Sequence, residues 1–257
     1  MPEYKHILYE VDGDGVATLT FNEPERLNAF SWPMMEEFRA CLKYFERDTS
    51  AHVIILKGAG RCFSPGYDFK ETPPDVIKPG YGPADGMEEP RGVPDYGRGI
   101  WNSRAHVQDH IDYEKLIWDL WKPVIAQVQG IATAAGCQLV SMCDLAVAAH
   151  SARFAVSGVN LGLFCATPSV ALSRNLSRKA AFEMLVTGNF ISADEALAKG
   201  LVNAVCPPEE LEDTVTRYVD SILHKPRVAL AMGKQLFYRQ LEQGIEAAYE
   251  SAGQTMA

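Results

Sequence analysis

The chain has no run of about 18 apolar residues, so nothing in it reads as a membrane-spanning helix. Met1 to Glu10 holds no apolar stretch of the kind a secretory signal needs, and the expected location is the cytoplasm. Positive charge is scarce: 24 Lys and Arg stand against 33 Asp and Glu, a formal net charge of -9. That balance removes the broad basic surface that binding a nucleic acid backbone requires, although one local basic patch could still hold a polyphosphate. The six cysteines, at 41, 62, 137, 143, 165 and 206, never form a CxxC pair. Neither a zinc site nor a dithiol redox motif is written in them, and they read as reduced core thiols. There is no internal repeat.

What is present is an ordinary globular composition, with 47% hydrophobic and 22% charged residues in 257. This suits one large domain carrying a helical appendage, divided here as 1–190 and 191–257. His6 to Val11 and Val16 to Phe21 alternate around the turn Asp12 to Gly15, a hairpin signal. Ser31 can cap a helix that carries Met34, Met35, Phe38, Leu42 and Phe45 at helical spacing. His52 to Lys57 reads as a buried strand leaving through Gly58 to Gly60. In residues 73–99, twelve of twenty-seven are Pro or Gly, too many for a regular element; such segments are lids, binding loops or disorder. A helix is predicted from Ile100 to Trp121, stopped by Pro123.

Val124 to Val128 reads as a strand, Gly130 to Gly136 as a small-residue turn, Cys137 to Cys143 as a helix and Leu145 to Ala149 as a strand, the order of an α/β layered domain. Beyond it the chain is mostly helical. Thr167 with Pro168 looks like a cap followed by a first-turn proline, Ser192 and Glu195 have capping-box spacing, and helices near 208–223 and 226–243 close the sequence.

Two places share one design, a buried strand running into a turn of small residues that opens a helix: Arg61 to Lys70 and Gly130 to Gln138. Small residues allow close backbone approach, and a helix's first turn leaves N–H groups without intrahelical partners. Two such groups converging on one carbonyl oxygen would stabilise an enolate or tetrahedral oxyanion, the species through which thioester chemistry runs. The bland alternative is that both turns are packing devices.

Six ordered motifs decide between these readings: Arg26 to Phe30 (RLNAF), Cys62 to Lys70 (CFSPGYDFK), Val124 to Gly130 (VIAQVQG), Gly136 to Leu139 (GCQL), Met142 to Ala146 (MCDLA) and Thr187 to Ala196 (TGNFISADEA). In order and spacing they resemble the crotonase, or enoyl-CoA hydratase/isomerase, family. The stretch Gly158 to Ser169 is similar to the enoyl-CoA hydratase domain-containing protein 3 branch of that family, whose members share a glutamate-poor pattern.

The resemblance implies an α/β fold, a spiral of ββα units with a C-terminal helical region that builds homotrimers, often paired as hexamers. It implies an acyl-CoA substrate, with coenzyme A entering only as part of that substrate and no metal or redox cofactor. Tyr67 and Ala135 would donate the two oxyanion-hole N–H groups. Ser64, Gly66, Tyr67, Asp68, Phe69 and Lys70 would run along the CoA, while the turn of Arg26, Leu27 and Ala29 would help hold its nucleotide end. The family's two acid/base glutamates would fall at Gln138 and Gly158, and neither is a carboxylate. A carboxamide can hydrogen-bond a water but cannot take up and return a proton at neutral pH.

Ordinary hydratase activity is therefore expected to be weak. Isomerisation, C–C bond cleavage with other acid/base groups, and non-catalytic acyl-CoA binding stay open beside it. His106, Asp109, His110 and Tyr113 share one helix face, which is either solvated or lines the acyl pocket. Asn160 is polar near the expected pocket. Asp68 is expected to cap a helix and Asp144 to serve a turn. The family usually continues past Ala257 with a further helix and a basic tail, so the chain is expected to be a truncated form of a longer one or else a shortened member of the family.

Overall fold

The computed structural model describes residues 4–68 and 115–256. Strands β1 (Ile7–Val11) and β2 (Val16–Phe21) form the expected antiparallel hairpin, with Val11 opposite Ala17. The Asp12 carboxylate accepts the N–H groups of Asp14 and Val16, each at 2.9 Å, and so winds the turn from within. Helix α1 (Trp32–Arg47) starts at Ser31, whose side chain accepts the Met34 N–H.

Onto β2 are added β3 (Val53–Gly58), β4 (Val124–Val128), β6 (Leu145–Ala149) and β9 (Ala204–Cys206), all parallel, to give a six-stranded sheet in the order β1-β2-β3-β4-β6-β9. A smaller sheet pairs β5 (Ile131–Thr133) in parallel with β7 (Arg153–Ala155) and β7 antiparallel with β8 (Ile191–Ser192). Both faces of the large sheet are covered. One carries Leu19, Phe21, Ile54 and Leu56 with the α1 side chains Phe38 and Phe45. The other packs Val53, Ile125 and Val147 against Leu211, Val215 and Val219 of helix α6 (Leu211–Leu223). That double cover is why β3 reads as an unbroken apolar run rather than an alternating one. A fully buried phenylalanine such as Phe21 contributes on the order of 2–3 kcal/mol by leaving water.

Helices α2 (Ala135–Met142), α3 (Ala166–Asn175), α4 (Arg178–Thr187) and α5 (Ala193–Lys199) precede α6, and α7 (Arg227–Leu241) and α8 (Ile245–Met256) follow it. The Ser192–Glu195 capping box at α5 forms in both directions. Lys234 of α7 is buried, and its Nζ donates to the carbonyls of Ile117 (2.8 Å) and Lys122 (2.9 Å) and to Asp144 Oδ2 (2.7 Å). Asp144 also accepts from Val124 N and Tyr238 Oη, each at 2.7 Å. The expected turn carboxylate is thus a junction of three elements.

The structure departs from the sequence reading at several places. The run Gly130 to Gly136 is not all turn: Ile131–Thr133 is β5, and α2 begins at Ala135 rather than Cys137. Thr167 caps nothing, because Cys165 is the N-cap of α3 and Thr167 lies inside its first turn. Helix residues 115–119 end short of Trp121. A third helix, α8, follows the two expected to close the chain. The large sheet takes its last strand, β9, from beyond residue 190, the expected limit of the core. All six cysteines are free and buried.

Candidate active site

Two elbows meet where β3 and β4 end. The first is laced from behind by Asn28, which is fully buried and in the left-handed region at φ 60°. Its Nδ2 donates to the Ala59 (2.9 Å) and Cys62 (2.7 Å) carbonyls, and Ser64 Oγ donates to its backbone oxygen at 2.8 Å. Ser64 Oγ accepts the Gly66 N–H at 3.1 Å. Phe30 then pairs with the elbow as a parallel bridge at Tyr67, its N–H going to the Gly66 carbonyl (2.8 Å) and its carbonyl accepting the Asp68 N–H (3.0 Å). Extended backbone alternates, so the Tyr67 N–H faces away from Phe30.

The second elbow lies against the first. Across a parallel Ser64–Ala132 bridge the Ser64 N–H donates to the Ile131 carbonyl and the Thr133 N–H to the Ser64 carbonyl, each at 3.1 Å, and Thr133 Oγ1 donates to the Pro65 carbonyl at 2.8 Å. A β-carbon placed on Gly66 would sit 3.0 Å from the Thr133 oxygen and 3.1 Å from the Ala135 nitrogen, and one on Gly136 would sit 2.3 Å from the Ser64 oxygen. Only glycine permits this approach, and Gly66 also takes φ +93°. Ala134 turns the chain into α2 at φ 49°, ψ -119°, held by its N–H to the Ala155 carbonyl at 2.9 Å. Ala135 is the first helical residue, where an N–H has no intrahelical acceptor.

Of the residues singled out in the sequence, Ser64, Gly66, Tyr67 and Ala135 come together here. Ser64 acts from behind, fully buried with its hydroxyl holding the loop. Arg26 and Asp68 form an ion pair, so the guanidinium of the Arg26 to Ala29 turn is committed to Asp68 and the Asp68 carboxylate to Arg26. Leu27 and Asn28 both have positive φ in that turn, and Ala29 is buried. Phe69, Lys70, His106 and His110, with Asp109 and Tyr113, lie outside the described residues.

Gln138 follows Ala135 by one turn of α2 and is 2% exposed; its Oε1 accepts from Thr167 Oγ1 at 3.1 Å. Gly158 lies in a short 3-10 turn, Ser157–Leu161, and a β-carbon there would meet Cys165 Sγ and the Leu163 carbonyl oxygen, each at 2.7 Å. Asn160 is exposed and donates to the Gly188 carbonyl at 3.4 Å, so its amide serves the loop after α4. Burial pushes the Cys137 thiol up to about 12 and raises Cys165 as well, so neither is a thiolate nucleophile at neutral pH. Among the described residues, no group of three His, Cys, Asp or Glu side chains could hold a metal ion, and no helix is long and apolar enough to cross a membrane. A cavity of ≈ 680 Å³ opens at the other end of the parallel strands, where Lys122 and Arg227 are balanced by Asp48 and Asp220.

A model of enoyl-CoA hydratase/isomerase proteins matches residues 12–77 and 102–256. The chain belongs to the enoyl-CoA hydratase/isomerase family. It is 40% identical over 243 residues to the mitochondrial enoyl-CoA hydratase domain-containing protein 3 of Rattus norvegicus, covering 95% of this chain and 74% of that one. With a short-chain-enoyl-CoA hydratase of Clostridium acetobutylicum it shares 31% identity over 251 residues, 96% of this chain and 86% of the relative. Among solved structures, an enoyl-CoA hydratase of Mycobacterium smegmatis superposes with a TM-score of 0.85 at 47% identity, covering 98% of this chain and 90% of the other. The human enoyl-CoA hydratase domain-containing protein 3 gives 0.83 at 36%, again covering 98% and 90%. The crotonase fold expected from the motifs is the fold of this chain.

Reading the sequence missed the Thr167–Gln138 bond, the Arg26–Asp68 pair and the backbone of Ala134. The signal for the last was present, since the middle of a small-residue turn before a helix is where a left-handed residue is needed.

Proposed function

We propose that this protein binds acyl-CoA thioesters and polarises the thioester carbonyl with the backbone N–H groups of Tyr67 and Ala135. The observation that carries the reading is the close approach of the two elbows, with the Gly66 β-carbon position 3.1 Å from the Ala135 nitrogen. A Tyr67 N–H turned away from Phe30 and an Ala135 N–H at a helix start suit one oxyanion, and removing one such donor elsewhere costs about 10²–10³ in rate. No metal or redox cofactor is needed for that step.

Enoyl-CoA hydration by this chain is slow. Two family glutamates would fall at Gln138 and Gly158, and general acid/base groups supply about 10²–10⁴-fold. Titration with but-2-enoyl-CoA alongside a hydration assay tests both halves: binding with little turnover is expected, and a rate like that of an ordinary hydratase would refute the reading of Gln138 and Gly158. Absence of any CoA-ester binding would remove the reading altogether.

A second reading, a non-catalytic acyl-CoA-binding subunit, is favoured by the packing at Gly158, which leaves no space for an acid/base side chain. It predicts affinity without product across a panel of acyl-CoA esters. In either case the assembly is a homotrimer or a pair of trimers closed through α7 and α8, whose Phe237, Leu241, Ile245 and Tyr249 are exposed, Tyr249 at 73%.

A further inference from the structure

The direction of the Tyr67 N–H is set by its neighbours on both sides. In a trans peptide the N–H lies opposite the carbonyl of the preceding residue, so the Tyr67 N–H points away from whatever holds the Gly66 oxygen. Phe30 holds it, its N–H donating to that oxygen at 2.8 Å. The next peptide is fixed by the same residue, since the Asp68 N–H donates to the Phe30 carbonyl at 3.0 Å. The Phe30 and Tyr67 rings pack edge to face with centroids 6.0 Å apart. Tyr67 is thus straddled by two bonds to one residue, and its N–H stays aimed only while Gly66 and Asp68 stay in register with Phe30.

That register has a second tie, made by the turn that carries Phe30. The turn is tight: Leu27 and Asn28 both lie in the left-handed region, and the Ala29 N–H closes on the Arg26 carbonyl at 3.1 Å. From its start the Arg26 guanidinium pairs with the Asp68 carboxylate, so the turn holds the far side of the elbow by a side chain as well as by main chain. The Asp68 side chain is 11% exposed and that of Arg26 35%. A pair this sheltered is unlike the fully hydrated ones that contribute almost nothing, and drawing the guanidinium away leaves a carboxylate largely shut from water without its cation. The family resemblance would have Arg26 help hold the nucleotide end of CoA, yet a phosphate could take the guanidinium only by breaking this pair.

We infer that Arg26 is a positioning residue for the Tyr67 N–H: it acts through Asp68 to keep that donor aimed at the thioester carbonyl, and it does not bind the phosphates of the ligand. Its effect is therefore felt at the acyl end of the ligand and is indifferent to whether a nucleotide is attached. This inference rests on the acyl-CoA reading above.

The test compares two ligands on the full chain, butanoyl-CoA and S-butanoyl-pantetheine, which carries the same thioester without the nucleotide and its phosphates. Calorimetry gives their affinities, and infrared difference spectra with a carbon-13 label in the thioester carbonyl give the shift of the bound C=O band. In Arg26→Met about half of the wild-type band shift should be lost, because one of two donors is misaimed. Affinity should fall by the same factor for both ligands, at most about tenfold, the size of one hydrogen bond. Arg26→Lys keeps a cation for Asp68 and should recover most of the shift. Asp68→Asn should resemble Arg26→Met and carries the same test where that variant does not fold, and the double variant should lose no more than either single one. An unmoved carbonyl band in Arg26→Met and Asp68→Asn, or an affinity loss seen with butanoyl-CoA and absent with the pantetheine ester, overturns the inference while leaving the acyl-CoA reading intact. Failure of both ligands to bind the wild-type chain, or binding with no shift of the carbonyl band, overturns both.

Discussion

The Cys165 sulfur lies 2.7 Å from where a β-carbon on Gly158 would be, and the Leu163 carbonyl oxygen lies equally close on the same atom. Both come from the segment that leads into α3, whose backbone bonds back to Gly158 through the Leu163 N–H at 3.0 Å. The segment has closed over the glycine, so the position cannot take a carboxylate without moving main chain.

Gly158→Glu is therefore expected to lower stability by about 2–4 kcal/mol and to leave hydration no faster. Denaturant unfolding and the enoyl-CoA hydration assay check the two statements. A variant that folds with wild-type stability and hydrates rapidly would show that the pocket opens easily there.

Gln138→Glu is the permissive counterpart. The new carboxylate keeps the shape of the side chain and can accept from Thr167 Oγ1 as Oε1 does now. Hydration of but-2-enoyl-CoA should rise by roughly tenfold to a hundredfold, no more than the bottom of the general acid/base range, because only one of two groups is restored. Initial rates at saturating ester measure this.

Ala134 has φ 49° and ψ -119°, a conformation suited to glycine. Relief of strain worth about 1–3 kcal/mol, less the extra chain entropy of an unfolded glycine, leaves Ala134→Gly more stable by about 1 kcal/mol. The expected signature is a higher denaturant midpoint with an unchanged slope.

Lys234 and Asp144 are bonded at 2.7 Å in the interior, with burial pushing the lysine below its ordinary value and Asp144 pulling the other way. Lys234→Met strands the carboxylate with Val124 N and Tyr238 Oη as its remaining donors. A loss of about 3 kcal/mol is expected, and the double variant Lys234→Met with Asp144→Leu should cost less than the sum of the two single changes.

Alkaline pH should destabilise the protein. Burial raises the Cys41 and Cys137 thiols from 9.0 to about 12, and it raises Cys143 in the same direction. A raised folded value means the native chain keeps protons that the unfolded chain gives up, so this stability is complete below pH 9.0 and drains away above it. Each thiol contributes a slope of about 1.4 kcal/mol per pH unit between its two values. Unfolding titrations from pH 8 to 11 should show the decline, and Cys41→Ala should make it shallower by one proton.

Much of the local structure was legible in the sequence because its causes are local. The Ser31 cap, the Ser192–Glu195 box, the alternation of β1 and β2 and the buried run of β3 each depend on residues within one or two turns of one another. The six ordered motifs carried the family, and with it the crotonase fold. Capping at Thr167 failed because α3 already starts at Ala166 with Cys165 as its N-cap, and the Thr167 hydroxyl goes to a distant partner, Gln138 of α2.

Tertiary structure alone decided the site. Whether Gly66 touches Ala135, whether Arg26 is claimed by Asp68, and whether Cys165 fills the space beside Gly158 all depend on segments brought together by the parallel crossovers of the large sheet. A string of residues encodes its own propensities, but the space around a side chain belongs to whatever packs there, and that is settled only when the sheet closes and the elbows meet.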